Sequence, residues 1–165
     1  ERHLVFFVKD LGDYTHQLPR KLQRGMPVTV EGPYGCFDFE DSHSRQIWVA
    51  GGIGITPFVA RMKYLAHHPD ERKPIDLFFG TEEYEQDAAD KLIADAEAAG
   101  VELHLYFRPR DGVISGAGIR AMVPEWHQAS IWFCGPAGFG KAVKRDLVRH
   151  GLARGDFHQE RFRMR

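Results

Sequence analysis

Gln46-Ile47-Trp48-Val49-Ala50 runs directly into Gly51-Gly52-Ile53-Gly54-Ile55-Thr56-Pro57, and no other stretch of the chain restricts its fold as much. A near-continuous apolar run of this length is what a central strand of a parallel sheet needs, because both its faces are covered. The glycines make a tight turn. Thr56-Pro57 then opens a helix, with Thr56 predicted as N-cap and Pro57 at the first helical position. Phe58, Met62 and Leu65 recur at helical spacing, and Val59 and Ala66 widen the stripe.

The unit repeats down the chain. Ile75 to Phe79 reads as a strand ending at Gly80. An Ala-rich helix follows, with Leu92, Ile93 and Ala96 expected on one face and Gly100 as its C-terminal cap. Val101 to Phe107 is a third strand, followed by a Gly-rich loop and a short helix around Ile119–Met122. Ser130 to Cys134 is a fourth strand. After the turn Gly135-Pro136-Ala137-Gly138 comes a helix with Val143, Leu147 and Val148 inward and Gly151 at its end. Phe157 to Phe162 closes the series. The order predicts an α/β fold, a doubly wound five-stranded parallel sheet with helices on both faces.

The first forty residues read differently. Leu4 to Val8, Pro27 to Glu31 and Phe37 to Phe39 are expected as strands, the latter two by alternation of apolar and polar residues. A short helix lies between the first two, with Asp13 or Thr15 near its cap. Three strands are too few for a closed barrel, so they are expected to be the end of a barrel that starts upstream. The polar segment Asp41 to Arg45 is the expected linker. This divides the chain into 1–40, an incomplete barrel domain, and 41–165, the strand–helix domain. The chain also lacks an initiator Met and opens almost directly in a strand-like run, which reads as a piece of a longer protein.

Composition removes several classes of function. With 22 basic and 23 acidic residues the formal net charge is −1, without the electrostatic footprint of a nucleic-acid binder. No apolar run approaches the roughly 20 residues of a membrane helix. The two cysteines, Cys36 and Cys134, form no Cys-x-x-Cys pair and are too few for a zinc ribbon or a [2Fe–2S] cluster. They are read as reduced thiols rather than a disulfide. The nine histidines make no His-Glu-x-x-His pattern, and His67-His68 is read as a solvated helix end, so no metal site is expected.

Ligands of such sheets bind beyond the carboxyl ends of the strands, where both Gly-rich turns fall. Gly51, Gly52 and Gly54 would let backbone N–H groups approach a diphosphate, with the following helix N-terminus adding positive potential. No Gly-Lys-Ser/Thr follows, so the turn is not a Walker loop. Pro57 stands where a regular Gly-x-Gly-x-x-Gly fingerprint has its third glycine, which disfavours an ordinary Rossmann dehydrogenase.

Four motifs occur in order: Gly32-Pro33-Tyr34-Gly35, Gly51 to Pro57, Cys134-Gly135-Pro136-Ala137-Gly138-Phe139, and Glu160-Arg161-Phe162. Together they resemble the ferredoxin–NADP reductase superfamily. The stretch Phe7 to Thr15 is similar to the branch of ferric-reductase and NADPH-oxidase-type flavoproteins. The resemblance implies that NAD(P)H gives a hydride to FAD, which passes single electrons to an acceptor such as haem or ferric iron. It implies that Gly12 and Thr15 hold the FAD pyrophosphate, although a helix-cap role for Thr15 fits the residues as well. Gly32, Pro33, Tyr34 and Gly35 would form the turn between flavin and nucleotide domains. Gly52 and Gly54 would face the NAD(P)H diphosphate, and Thr56 would lie near the nicotinamide and flavin rings. Cys134, Gly135 and Pro136 match the turn beside the nicotinamide C4, with Cys134 shaping hydride transfer rather than acting as a nucleophile. Glu160 would lie near the reacting centre and Phe162 would cover the flavin, though Arg163-Met164-Arg165 extend past it.

The superfamily's Arg-x-Tyr/Phe-Ser/Thr flavin motif is absent from these residues, so weak or no FAD retention is expected. The cofactor choice is divided. Thr81-Glu82-Glu83 after the second strand favours NADH, Arg108 and Arg110 after the third favour a 2′-phosphate, and the branch points to NADPH. The parent implied by the resemblance adds an upstream FAD barrel and a haem-binding membrane domain, with this part on the cytoplasmic side. Two other readings stand beside it: a reductase component supplying an oxygenase, and a non-catalytic nucleotide-binding regulatory domain.

Overall fold

The computed structural model describes residues 4, 6, 8, 10, 12–32, 35 and 37–160. Five strands form one sheet: β1 (Arg45–Gly51), β2 (Ile75–Thr81), β3 (Glu102–Phe107), β4 (Ala129–Cys134) and β5 (Phe157–Glu160). Their spatial order is β3-β2-β1-β4-β5, and every pair is parallel. The helices are α1 (Asp13–Lys21), α2 (Thr56–His67), α3 (Gln86–Ala99), α4 (Arg108–Asp111), α5 (Gly116–Met122) and α6 (Ala137–Arg149).

Alternation along the central strands divides the core into two layers. Trp48, Ala50, Trp132 and Cys134 face α2 and α3, meeting Phe58, Met62, Leu65, Leu92 and Ala96. Ile47, Val49, Ile131 and Phe133 face α5 and α6, meeting Ile119, Val143 and Leu147. Each such large apolar side chain contributes about 1.5–3 kcal/mol on burial. The chain moves outward from β1 to β3 through α2 and α3, then crosses back to place β4 on the other side of β1. The carboxyl ends of β1 and β4 therefore diverge at a topological switch point, the position where doubly wound sheets bind ligands.

Several local expectations differ from the structure. Thr56 is not an N-cap. A 3₁₀ turn over Gly52–Ile55 leads straight into α2, so Ile55 is already helical and Thr56 and Pro57 take the first two helical positions. Ile93 points outward, 41% exposed, because the core-facing stripe of α3 runs through Ala89, Leu92, Ala96 and Ala99. The expected strand over 157–162 is formed over Phe157–Glu160, and Arg161 and Phe162 lie outside the described residues. Gly100 ends α3 in the left-handed conformation its cap requires (φ 71°).

The chain divides into two compact units, 1–35 and 36–165. In the first, α1 is the only regular element among the described residues. The expected strand over 27–31 is not formed. Val28 and Val30 are 67% and 51% exposed, and an alternating segment has no strand to pair with among the described residues of its unit. The strand expected over 4–8 falls partly on undescribed residues, and its described residues carry no strand pairing. Phe37 and Phe39 belong to the second unit. Phe39 adopts φ 60°, which breaks an extended run and turns its ring into the core, 5.2 Å from Trp48 and 5.0 Å from Trp132.

The segment 41–45, expected as a linker, instead fastens the amino edge of the sheet. The buried Asp41 carboxylate accepts hydrogen bonds from Gln46 Nε2, from Ser130 Oγ at 2.8 Å and from the His43 amide at 2.7 Å. It is also 3.3 Å from Lys73 Nζ. Gln46 and Ser130 in turn take the indole N–H groups of Trp48 and Trp132, each at 2.9 Å. Burial would raise the Asp41 pKa, but the bonds from Gln46, Ser130 and His43, with the charge of Lys73, outweigh it and hold the carboxyl below its usual value.

Candidate functional site

The register brings the expected residues of both Gly-rich turns to one edge. Ala50 stands opposite Cys134, and Cys134 opposite Glu160, so the ends of β1, β4 and β5 lie side by side. The turns after β1 and β4 then interlock through backbone. A Cβ added at Gly54 would lie 2.1 Å from the Cys134 carbonyl oxygen and 2.9 Å from the Gly135 amide nitrogen. A Cβ at Gly135 would lie 3.0 Å from the Gly51 nitrogen, and one at Gly51 2.8 Å from Pro136 Cδ.

Gly52 is the exception. It is exposed, takes φ 54°, and has no atom within 4 Å of where a Cβ would be. This exposed left-handed residue opens the 3₁₀ turn that leads into α2. Gly54, by contrast, is buried against β4's turn. The two glycines expected together at the diphosphate thus have different surroundings. Pro57 is partly buried at the second position of α2, and Thr56 is partly exposed beside it.

Cys134 is fully buried. Burial, and secondarily the charge of Glu160, push its thiol up to about 12, so it is neutral at physiological pH and no nucleophile. Glu160 is partly buried at the end of β5.

At the β2–β3 side of the edge, Glu82 and Arg108 form an ion pair with each other, both exposed. The acid expected to favour NADH and the base expected to favour NADPH are therefore one paired unit. Arg110 is taken by its neighbour Asp111, with contacts of 2.8 and 2.9 Å. This pair raises the Arg110 pKa and, with the Phe107 amide, lowers that of Asp111.

The first unit holds Gly12, Thr15, Gly32 and Gly35, all exposed but Thr15, which is partly so. Thr15 Oγ1 accepts the Gly12 N–H at 3.1 Å and is 2.9 Å from the Gly12 carbonyl, which makes it the third-position half of a capping box for α1. Among the described residues of the first unit no barrel strand is formed. Pro33, Tyr34, Cys36 and Phe162 lie outside the described residues.

Sequence reasoning overlooked the part of Phe139, whose ring would meet a Cβ at Gly51 at 3.3 Å and packs edge-on against Phe133 at 5.1 Å. An aromatic just inside a helix after a Gly-Pro turn was the available signal. It also overlooked the Glu82–Arg108 pairing, for which local sequence carries no signal.

Residues 48–145 match the profile of the family described as oxidoreductase NAD-binding domain. The chain is 26% identical over 166 residues to the glycine betaine monooxygenase reductase subunit of Chromohalobacter salexigens, an alignment covering 92% of this chain and 44% of that protein. It is 29% identical over 149 residues to the xylene/toluene monooxygenase electron transfer component of Pseudomonas putida, covering 84% of this chain and 42% of that protein. It thus spans less than half the length of these curated relatives. In fold it is similar to the flavohaem-like FAD/NAD-binding domain of a nitric oxide dioxygenase from Vibrio cholerae. That match has a TM-score of 0.75 at 20% identity and covers 90% of this chain and 64% of that one.

Proposed function

Because this chain belongs to the oxidoreductase NAD-binding domain family, we propose that it is the nicotinamide-dinucleotide part of a flavin-dependent reductase. The observation that carries the proposal is the convergence at one switch point of the open left-handed turn at Gly52 with Cys134 and Glu160 on the two neighbouring strands.

A bound nicotinamide dinucleotide supplies a hydride for transfer to a flavin. The chain's own residues bind and orient it. The Gly52 backbone and the first turn of α2 meet the diphosphate. Cys134, a neutral thiol, forms an apolar floor for the reacting ring, and Glu160 provides a carboxylate beside that floor. Glu82 and Arg108 face the adenosine ribose. Because each neutralises the other, the site accepts either NADH or NADPH, and the branch resemblance favours NADPH.

FAD, with Gly12 and Thr15 among its contacts, belongs to the whole reductase. The first unit, 1–35, is then the end of its barrel, shorter than the expected 1–40 because Phe37 and Phe39 pack into the second unit, and the exposed Val28 and Val30 are faces that the rest of the barrel would cover. The purified chain is expected to hold little flavin, and a stoichiometric flavin absorbance would refute that.

For the acceptor, the reductase-subunit and electron-transfer-component relatives support an oxygenase partner, while the likeness to a flavohaem-like domain supports a haem. A ferric-reductase parent with a membrane domain rests on the Phe7 to Thr15 stretch alone, and no helix among the described residues is long and apolar enough to cross a membrane. Calorimetric titration of the chain with NAD⁺, NADP⁺ and ADP-ribose tests the proposal. Saturable binding of ADP-ribose and at least one dinucleotide is expected, and absence of binding at millimolar concentration overturns it.

A further inference from the structure

The two turns at the switch point are not equivalent carriers of ligand contacts. Gly54 is buried, and the space where its side chain would stand is filled by the carbonyl of Cys134 and the amide of Gly135. Gly135 makes the reverse fit onto the Gly51 backbone, at φ 158°. Neither glycine can take even a methyl group without displacing main chain of the neighbouring turn. The atoms Gly54 touches are those that fix where Cys134 sits. Gly52, two residues earlier, is exposed, and a Cβ added there would meet nothing within 4 Å.

We propose that Gly54 is a positioning residue. It does not contact the diphosphate, but locks the turn after β4 so that Cys134 stays buried at the floor of the crevice, while Gly52 is the diphosphate contact. The inference deepens the proposed nucleotide site and rests on it only for the ligand, because the lock itself is a property of the chain.

The test uses the full chain carrying Cys36→Ser, so that Cys134 is the one thiol. Two quantities are followed: affinity for ADP-ribose by calorimetry, and the rate at which 5,5′-dithiobis(2-nitrobenzoate) labels Cys134 at pH 8. In the parent chain Cys134 is expected to resist labelling, because it is buried and its thiolate is scarce. Gly54→Ala is expected to speed labelling by about tenfold or more as Cys134 is released towards an ordinary thiol, with ADP-ribose affinity held within about twofold. Gly52→Ala is expected to do the opposite: affinity falls about tenfold and labelling is unchanged. Loss of ADP-ribose affinity in Gly54→Ala with Cys134 still protected overturns the proposal. Should Gly54→Ala not fold, Gly135→Ala presses on the same interlock from the other side and must expose Cys134 in its place. Unchanged protection there overturns the proposal equally. Failure of every variant and the parent to bind ADP-ribose would refute the nucleotide site, whereas the labelling rates would still decide the lock.

Discussion

At the amino ends of β1 and β4 the polar atoms in play belong to side chains, whereas at their carboxyl ends they belong mostly to the backbone. The amino edge is a closed network. Asp41 gathers Gln46, Ser130, His43 and Lys73, and the two central tryptophans hang from Gln46 and Ser130. Nearby, Asp76 is held by Arg45 and His104, each at 3.0 Å. Every one of those contacts is internal to the chain. The carboxyl edge replaces side chains with Gly51, Gly52, Gly54 and Gly135; Glu160 stands opposite Cys134 there, and Glu82 and Arg108 form an exposed pair at the β2 and β3 ends. Polar groups spent on the fold stabilise it, whereas at the switch point the Gly51, Gly54 and Gly135 turns pack on each other and Gly52 is exposed. Under the proposed function, a single sheet would then keep its side-chain network and its ligand site at opposite ends of the same strands, the ligand at the carboxyl ends where doubly wound folds bind.

The largest effect that can break this division is expected at the amino edge. Asp41→Ala leaves buried Gln46 and Ser130 short of an acceptor and Lys73 without its anion, at a cost of about 3 kcal/mol in urea unfolding. Nucleotide affinity of the folded fraction should not change. A loss of affinity as large as the loss of stability would mean that the two edges are coupled. The acid limb of the stability curve gives an independent check. The Asp41 carboxyl is held below 3.8 in the folded chain. Its contribution is therefore full above the unfolded value and disappears as pH falls through the lower folded value. Asp41→Asn should flatten that limb.

Gly52→Ala probes the other end. The left-handed backbone costs alanine about 1 kcal/mol, and nothing lies close enough for a methyl group to strike. Stability should thus drop little, while dinucleotide affinity drops about tenfold. A stability loss as large as that of Asp41→Ala would show Gly52 to be structural.

Cys134 lies where the edges can be compared through pH. Its thiol is raised from 9.0 to about 12 by burial and by Glu160. Above pH 9 the unfolded chain releases this proton and the folded chain keeps it, so stability falls as pH rises, by at most about 1.4 kcal/mol per unit. Cys134→Ala should remove that alkaline slope. Between pH 6 and 8 the thiol stays protonated in both states, so no slope from this group is expected there, in contrast to the carboxylate-driven acid limb.

The carboxyl edge was legible from sequence because its signals are local. An apolar run, glycines and a Pro-opened helix follow one another within a dozen residues, and the parallel order then brings Cys134 and Glu160 alongside. The amino edge was not. Asp41 to Arg45 has the composition of a solvated linker, and only the fold sets Asp41 beside Ser130, 89 positions away. Thr56 misled because a 3₁₀ turn, which leaves no distinct pattern, extends the helical backbone past the expected cap. Residues 27–31 misled because alternation records a capacity to pair and says nothing of whether a partner is there.

The smallest expected effect concerns the exposed pair at the β2 and β3 ends. Glu82 and Arg108 stand 26 residues apart in sequence and neutralise each other at the surface. An exposed pair of this kind contributes little to stability, so neither Glu82→Gln nor Arg108→Gln should move the unfolding midpoint. Each should move the cofactor ratio. Removing Glu82 frees a guanidinium suited to a 2′-phosphate, and the NADP⁺ over NAD⁺ affinity ratio should rise about fivefold by calorimetry. Removing Arg108 leaves a carboxylate that accepts from a ribose hydroxyl and repels a phosphate, so the ratio should fall by a similar factor. Because the two groups act through the same contact, the double variant should return close to the parent ratio. Shifts in the same direction for both single variants would show that the pair does not read the 2′ position. The carboxyl edge would then bind dinucleotide through its backbone alone.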